Sequence, residues 1–250
     1  MLVTLAVILS TIFTSALSGV FGMAGGSLLI LILVSLLPVS SAMILHAVAQ
    51  LTANGSRALI LRRHICWQPL PGYLLGALLA ILFATWLVLI PDPGVILILV
   101  GLFPWLGRWS RRLSGLDITH QPTAIFCGAA VTAAQLFAGA AGPLLDMFYL
   151  KSSLSRQAIV ASKAFTQTLG HLLRILYYGV LVSVAETTDM MLALALILAA
   201  VLGTRLGTLM LARWNDGAFR RTSEWIILSI ATLCLIRGSY LVMTTPLTGA

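Results

Sequence analysis

Residues 21–29 read FGMAGGSLL, and residues 137–145 read FAGAAGPLL. Each stretch interrupts an apolar run with small residues, and a short apolar segment follows it. Irregular backbone is tolerated at membrane depth only where protein or water satisfies its amides and carbonyls. We therefore predict a discontinuous or re-entrant helix at each of these two glycine breaks.

A polar stripe follows each glycine break at one and the same spacing. The first stripe is His46, Gln50, Asn54 and Arg57, and the second is Lys163, Gln167, His171 and Arg174. Both have the spacing i, i+4, i+8 and i+11, which keeps the side chains within an arc of roughly 80° on a helix. The repetition indicates a duplication: a first repeat over residues 1–120, which includes a basic linker loop, and a second over residues 121–250, in one transmembrane domain.

The composition places both repeats in a membrane. Of the 250 residues, 60% are hydrophobic and 9% are charged, whereas soluble domains carry about a quarter charged residues. Apolar segments cover approximately residues 2–20, 26–37, 42–61, 69–90, 94–107, 122–137, 142–150, 157–180, 190–212 and 222–243. Segments 26–37 and 142–150 are too short to cross a hydrocarbon core of roughly 30 Å. The predicted fold class is an all-α integral membrane protein with about 8 to 10 membrane segments.

Basic loops orient the two repeats. Lys and Arg cluster within residues 62–63, 108–112, 151–156 and 213–221, whereas the loops between them carry Asp92, or Glu186 and Asp189, and no Lys or Arg. Because basic loops stay on the cytoplasmic side, the second repeat is predicted to be inverted relative to the first, with both termini outside the cytoplasm. Residues 2–17 lack the basic start of a signal peptide, so we interpret them as a retained membrane segment.

The glycine breaks are candidate anion sites. A short helix is predicted to begin near Ser27 and at Pro143, and free amides and the helix dipole at such a start attract anions. The candidate ligands are Gly25, Gly26, Ser27 and Gly142. The alternative is close packing of helices through small residues, which we favour for the spaced glycine pairs Gly72 and Gly76, and Gly203 and Gly207.

The eight stripe residues are the other candidate substrate ligands. Polar groups within an apolar segment usually face the protein interior or a cavity. The alternatives are interhelical hydrogen bonds that serve packing and snorkelling of Arg57 to the interface. If they are functional, Arg57 near the inner end and Arg174 toward the outer end are candidate anion attractors at opposite mouths. Asp146 is the acidic residue expected deep in the membrane, where it neutralises Lys163 or takes part in proton coupling.

Other classes of function lack their sequence signatures. The three cysteines, Cys66, Cys127 and Cys234, are scattered and offer no metal-ligand spacing, and no nucleotide-binding loop occurs. We expect neither metal nor cofactor. The net charge of +8 lies mostly in short loops between apolar segments, so we expect no nucleic-acid partner.

The run SGVFGMAGGSLLI, residues 18–30, and the helix HAVAQLTANGSRALILRRH, residues 46–64, resemble the opening of the sulfite exporter TauE/SafE family. The second half resembles that family's repeat. The resemblance implies a carrier of the bacterial inner membrane for small anions such as sulfite, sulfonates or carboxylates. Ala141 and Pro143 depart from the pattern, where glycine is more usual, and this bears on the identity of the substrate.

The leading hypothesis is secondary transport of a small anion by alternating access, as a proton-coupled exporter and not as an enzyme. The alternative is an intramembrane enzyme with His46 and His171 as acid–base groups, and a third possibility is an assembly subunit. The expected partners are the anion and the lipid bilayer, with a homodimer as an open alternative.

Overall fold

The computed structural model describes residues 2–21, 24–87, 91–110, 116–149, 152–181, 189–211 and 216–244. Within these ranges the regular structure is helical. The helices are α1 (Leu2–Phe21), α2 (Ala24–Leu36), α3 (Val39–Ile60), α4 (Leu70–Leu87), α5 (Pro93–Ser110), α6 (Gln121–Ala138), α7 (Gly142–Tyr149), α8 (Arg156–Leu176), α9 (Met190–Leu211) and α10 (Asp216–Thr244). A 3₁₀ turn (Arg62–His64) follows α3, and a π-helical turn (Tyr177–Leu181) follows α8.

Each of the ten apolar segments predicted from the sequence corresponds to one of these helices. The largest difference is at α10, which begins at Asp216 although the apolar segment begins only at residue 222. Residues 216–221 include charged residues. Charged residues end an apolar segment of the sequence, but they do not end a helix. The prediction of an all-helical chain is confirmed.

Among the described residues, three helical stretches are long and apolar enough to cross a membrane: Leu70–Leu87, Met190–Gly207 and Glu224–Thr244. Leu2–Ser18, Gly25–Leu36 and Pro93–Trp109 are apolar but shorter. α3 and α8 have 22 and 21 residues, and their polar stripes lower their hydropathy. α2 and α7, with 13 and 8 residues, reach only about 20 Å and 12 Å.

Glycines bring the long helices together in pairs. α9 packs against α1, and α4 packs against α6. A methyl group at Gly203 of α9 would collide with the carbonyl oxygen of Ile12, and one at Gly76 of α4 with that of Ile125. Such contact lets helix backbones approach closely where lipid supplies no hydrophobic driving force. The packing interpretation of these glycines is confirmed.

α3 and α8 pack against each other, as do α5 and α10. α2 also contacts α3, and α7 contacts α8. The two stripe-bearing helices are therefore neighbours, and each has the short helix of its own half of the chain beside it. This arrangement brings both stripes and both glycine breaks to one region of the protein.

The second glycine break lies within the described residues. α6 ends at Gly139, whose φ of 77° is left-handed and whose N–H donates to the carbonyl of Gln135 at 3.2 Å. Glycine adopts this conformation without strain. Residues 140–141 then lead into α7. The first break, by contrast, includes residues 22–23, which lie outside the described residues.

Candidate functional site

A cavity lies where the stripes and the breaks meet, with about 490 Å³ of empty space including its mouth. From the first break, Gly26 and Ser27 line it, and from the second break, Gly142. From the stripes, α3 contributes His46, Gln50, Asn54 and Arg57, and α8 contributes Gln167 and His171. Both halves of the chain thus supply polar groups to the same space.

Three residues predicted as substrate ligands are not among the described residues that line this cavity: Gly25, Lys163 and Arg174. Gly25 faces α1, where a methyl group would collide with the carbonyl oxygen of Thr14. It therefore serves the packing of α1 on α2. Lys163 and Arg174 lie in two polar networks beside the cavity.

The first network joins the two glycine breaks. Arg174 of α8 is fully buried and donates to the carbonyls of Gln135, at 3.2 Å, and Gly139. Its guanidinium also donates to Nδ1 of His46 on α3. Because a guanidinium only donates, this Nδ1 accepts, and Nε2 of the neutral ring carries the proton that it donates to the carbonyl of Gly26 at 2.9 Å. Arg174 is thus buried, with hydrogen-bond partners in α3 and at the end of α6, and it is not among the described residues that line the cavity.

The second network is an ion pair between Lys163 of α8 and Asp146 of α7. Arg57 of α3 lies near enough to Lys163 for their positive charges to repel each other. Of the two roles considered for Asp146, the neutralisation of Lys163 is the one for which the structure contains the contact. Ile30, its counterpart in the first repeat, offers no such charge.

The two networks involve residues at equivalent positions of the two polar stripes. His46 and Lys163 are the first residues of the two stripes, and Arg57 and Arg174 are the last. His46 of α3 contacts Arg174 of α8, and Lys163 of α8 lies near Arg57 of α3. The first residue of one stripe thus contacts the arginine of the other at His46 and Arg174, whereas Lys163 and Arg57 interact through the repulsion of their charges.

Two buried atoms on the cavity wall have no hydrogen-bond partner within the described part of the chain. They are Oε1 of Gln135 and Nδ1 of His171, in side chains that are 1% and 4% exposed as whole residues. Unpartnered polar atoms are costly when buried. Both residues line the cavity, and Oε1 of Gln135 lies against Gly170 of α8.

Sequence reasoning did not single out Ser18, Gln135 or Gly139 as ligands, although all three line the cavity. Ser18 and Gln135 are the first residues of the two breaks, SGVFGMAGGS and QLFAGAAGP, but only residues closer to the short helices were selected as ligands. The polar residue that begins each break was the available signal. Gly170 was missed as well: a methyl group there would collide with Gln135, so this glycine makes room for the glutamine side chain.

The described lining offers hydrogen-bond donors and one guanidinium, and it includes no Asp or Glu. Its apolar members, Ala53, Ala140, Ala141 and Pro143, are small. Within the described ranges no group of three or more His, Cys, Asp or Glu could hold a metal ion. The chemistry of the wall suits a compact, hydrophilic anion.

A family model described as Sulfite exporter TauE/SafE matches residues 7–233. The match covers both glycine breaks, both polar stripes and the cavity between them. No curated protein and no solved structure matches the chain significantly.

Proposed function

The chain belongs to the TauE/SafE family of sulfite exporters, and from this premise we propose that it exports a small oxyanion by alternating access through the central cavity. Members of this family are membrane transporters and not enzymes, and the chain is a multi-pass membrane protein with a small anion as its substrate class. The observation that best supports this proposal is the cavity itself. Both repeats contribute polar groups to it, and its described lining includes no carboxylate.

The proposed architecture is a pair of inverted repeats, residues 1–120 and 121–250, in one membrane domain. The pairing of helices supports it. In this architecture α1 to α5 of the first repeat correspond, in order, to α6 to α10 of the second. The counterpart of the contact between α1 and α9 is then the contact between α6 and α4, and both contacts are present. The contacts of α3 with α8 and of α5 with α10 map onto themselves. A pseudo-two-fold axis between α3 and α8 accounts for this pattern.

The substrate that we propose is sulfite or a small sulfonate or carboxylate. The oxygens of such anions accept hydrogen bonds from guanidinium, amide and hydroxyl groups, and charge-assisted bonds of this kind are the strong ones. Asn54, Gln50 and Gln167 supply amides, and Arg57 supplies charge. Small apolar residues complete the wall, so a bulky apolar tail on the anion gains no matching surface.

We further propose that protons couple to transport through Asp146. Protonation of this carboxyl would release the positive charge of Lys163 beside Arg57. Binding of the proton and of the anion would then favour each other, as linkage requires. Proton and anion would travel together, and the gradient of the substrate would drive export.

The acid–base enzyme that the two histidines suggested finds no support at His46. Both of its ring nitrogens are engaged, one by Arg174 and one by the carbonyl of Gly26. A ring held in this way orients backbone and side chains. The family assignment likewise makes the chain a transporter.

The test is thermal unfolding of the purified, full-length protein with a panel of anions. Ligands stabilise the state that they bind, in proportion to the logarithm of their concentration above the dissociation constant. We expect sulfite, methanesulfonate or acetate to raise the unfolding midpoint, and dimethyl sulfone, a neutral compound of similar shape, to leave it unchanged. Counterflow of the stabilising anion in proteoliposomes then establishes transport. If no anion on the panel stabilises the protein or is exchanged, the proposal is wrong.

A further inference from the structure

The two arginines that end the polar stripes hold equivalent positions in α3 and α8 but meet different surroundings. Arg174 lies against His46, a neutral hydrogen-bond acceptor. Arg57 lies near Lys163, a cation that is itself paired with Asp146. Duplication supplied the same residue twice, and the divergence of its neighbours gives each copy a different task.

Arg174 already has protein partners for its charge. Its terminal nitrogens donate to two backbone carbonyls of the second break and to the imidazole of His46. The side chain is fully buried, and a methyl group at Gly139 would come within 3.1 Å of it. Carbonyls at the C-terminal end of a helix have no partners within the helix and carry partial negative charge. Arg174 satisfies them at the end of α6.

Arg57 has no such partners. Its guanidinium makes no hydrogen bond or ion pair with any described residue, and it lines the cavity beside Asn54. The nearby charge of Lys163 repels it, and Asp146 is occupied by that lysine. A guanidinium carries five N–H donors and no acceptor. A half-buried guanidinium without a protein acceptor is complementary to an anion that enters the cavity.

We propose that Arg57 holds the transported anion, whereas Arg174, together with His46, is a positioning residue that fixes the two glycine breaks around it. The anion site is therefore displaced from the pseudo-two-fold axis toward the Arg57 end of the cavity. This inference rests on the proposed function, because it names the residue that binds the transported anion.

The experiment compares Arg57→Gln with Arg174→Gln in the purified, full-length protein. The readouts are the unfolding midpoint without anion, the affinity for sulfite and methanesulfonate, and the KM and maximal rate of counterflow. The matched control is Arg63→Gln, which removes the same charge from an exposed position near Arg57 in sequence. Arg57→Lys tests whether charge alone restores binding.

We expect Arg57→Gln to keep the parent's midpoint without anion and to bind about ten- to hundredfold more weakly, with a raised KM. Arg57→Lys should recover part of the affinity, since a lysine supplies charge without the planar fork of donors. Arg63→Gln should match the parent. Arg174→Gln should lower the midpoint without anion by about 5 °C or more, because buried carbonyls lose their donor. If that variant does not fold, His46→Gln, which weakens the same network, replaces it.

The inference is overturned if Arg57→Gln binds both anions as the parent does. It is also overturned if Arg174→Gln keeps the parent's midpoint but loses anion affinity, since Arg174 would then be the ligand. A parent protein that binds none of the anions contradicts the proposed function itself, and this outcome is read from the parent before any variant is compared.

Discussion

At the scale of single residues, the ion pair of Lys163 with Asp146 allows the sharpest test. Lys163→Met would leave Asp146 charged and unpaired at the edge of the cavity. We expect the free energy of unfolding to fall by about 1–3 kcal/mol, less than for a fully buried charge, because the Asp146 side chain is 36% exposed. The double variant with Asp146→Asn should recover most of this loss. Chemical or thermal unfolding of the purified variants measures both effects.

The single variant Asp146→Asn distinguishes a structural role of the ion pair from a role of Asp146 in proton coupling. It mimics the protonated carboxyl and frees the charge of Lys163 beside Arg57, so we expect anion affinity to rise several-fold and to lose its dependence on pH. Unchanged affinity with an unchanged pH profile would show that the ion pair serves only the stability of the structure.

Sequence reasoning found the members of this ion pair because charged residues are rare in apolar segments. It could not find the bond from Arg174 to His46, which depends on how α3 and α8 cross.

At the scale of helices, the glycine contacts predict matched losses of stability. Gly76→Ala and Gly203→Ala each place a methyl group against a backbone carbonyl of the partner helix, α6 or α1. Backbone cannot yield as a flexible side chain does, so we expect each variant to lose about 2 kcal/mol or more. Gly55→Ala in α3 is the control: its new methyl group would meet Thr168 at an ordinary 3.6 Å. There we expect no loss, or a gain of up to about 1 kcal/mol.

Equal stability of Gly76→Ala and Gly55→Ala would contradict the close packing of α4 on α6.

The helices themselves could be predicted, because the lengths of the apolar segments and the positions of the charged residues between them indicate where helices lie. The π-helical turn after α8 could not. There the hydroxyls of Tyr177 and Tyr178 donate to the carbonyls of Ala84, at 3.2 Å, and Leu136, at 2.9 Å. These contacts with α4 and α6 are tertiary contacts, and no local sequence pattern predicts them.

At the scale of the whole molecule, the arrangement of the repeats follows from pairings that join distant parts of the chain. The sequence predicted that the halves are related, since breaks and stripes recur. It could not predict which helices exchange partners. The contacts of α1 with α9 and of α4 with α6 provide that information, and they are compatible with the two-fold relation between the halves that we propose. Direction relative to the membrane still rests on the distribution of Lys and Arg.

This distribution gives the last prediction. Basic residues cluster in the loops around residues 62–63, 108–112, 151–156 and 213–221, and such loops remain in the cytoplasm. A fluorescent reporter that matures only in the cytoplasm should therefore be dark when fused after residue 250 and bright when fused after residue 120, at the end of the first repeat. A phosphatase that is active only outside should give the reverse pattern. A cytoplasmic C-terminus in the full-length chain would mean an odd number of crossings overall, or an orientation opposite to the one that the basic loops indicate. Either result would contradict two inverted repeats with both termini outside, because inversion needs an odd number of crossings in each repeat.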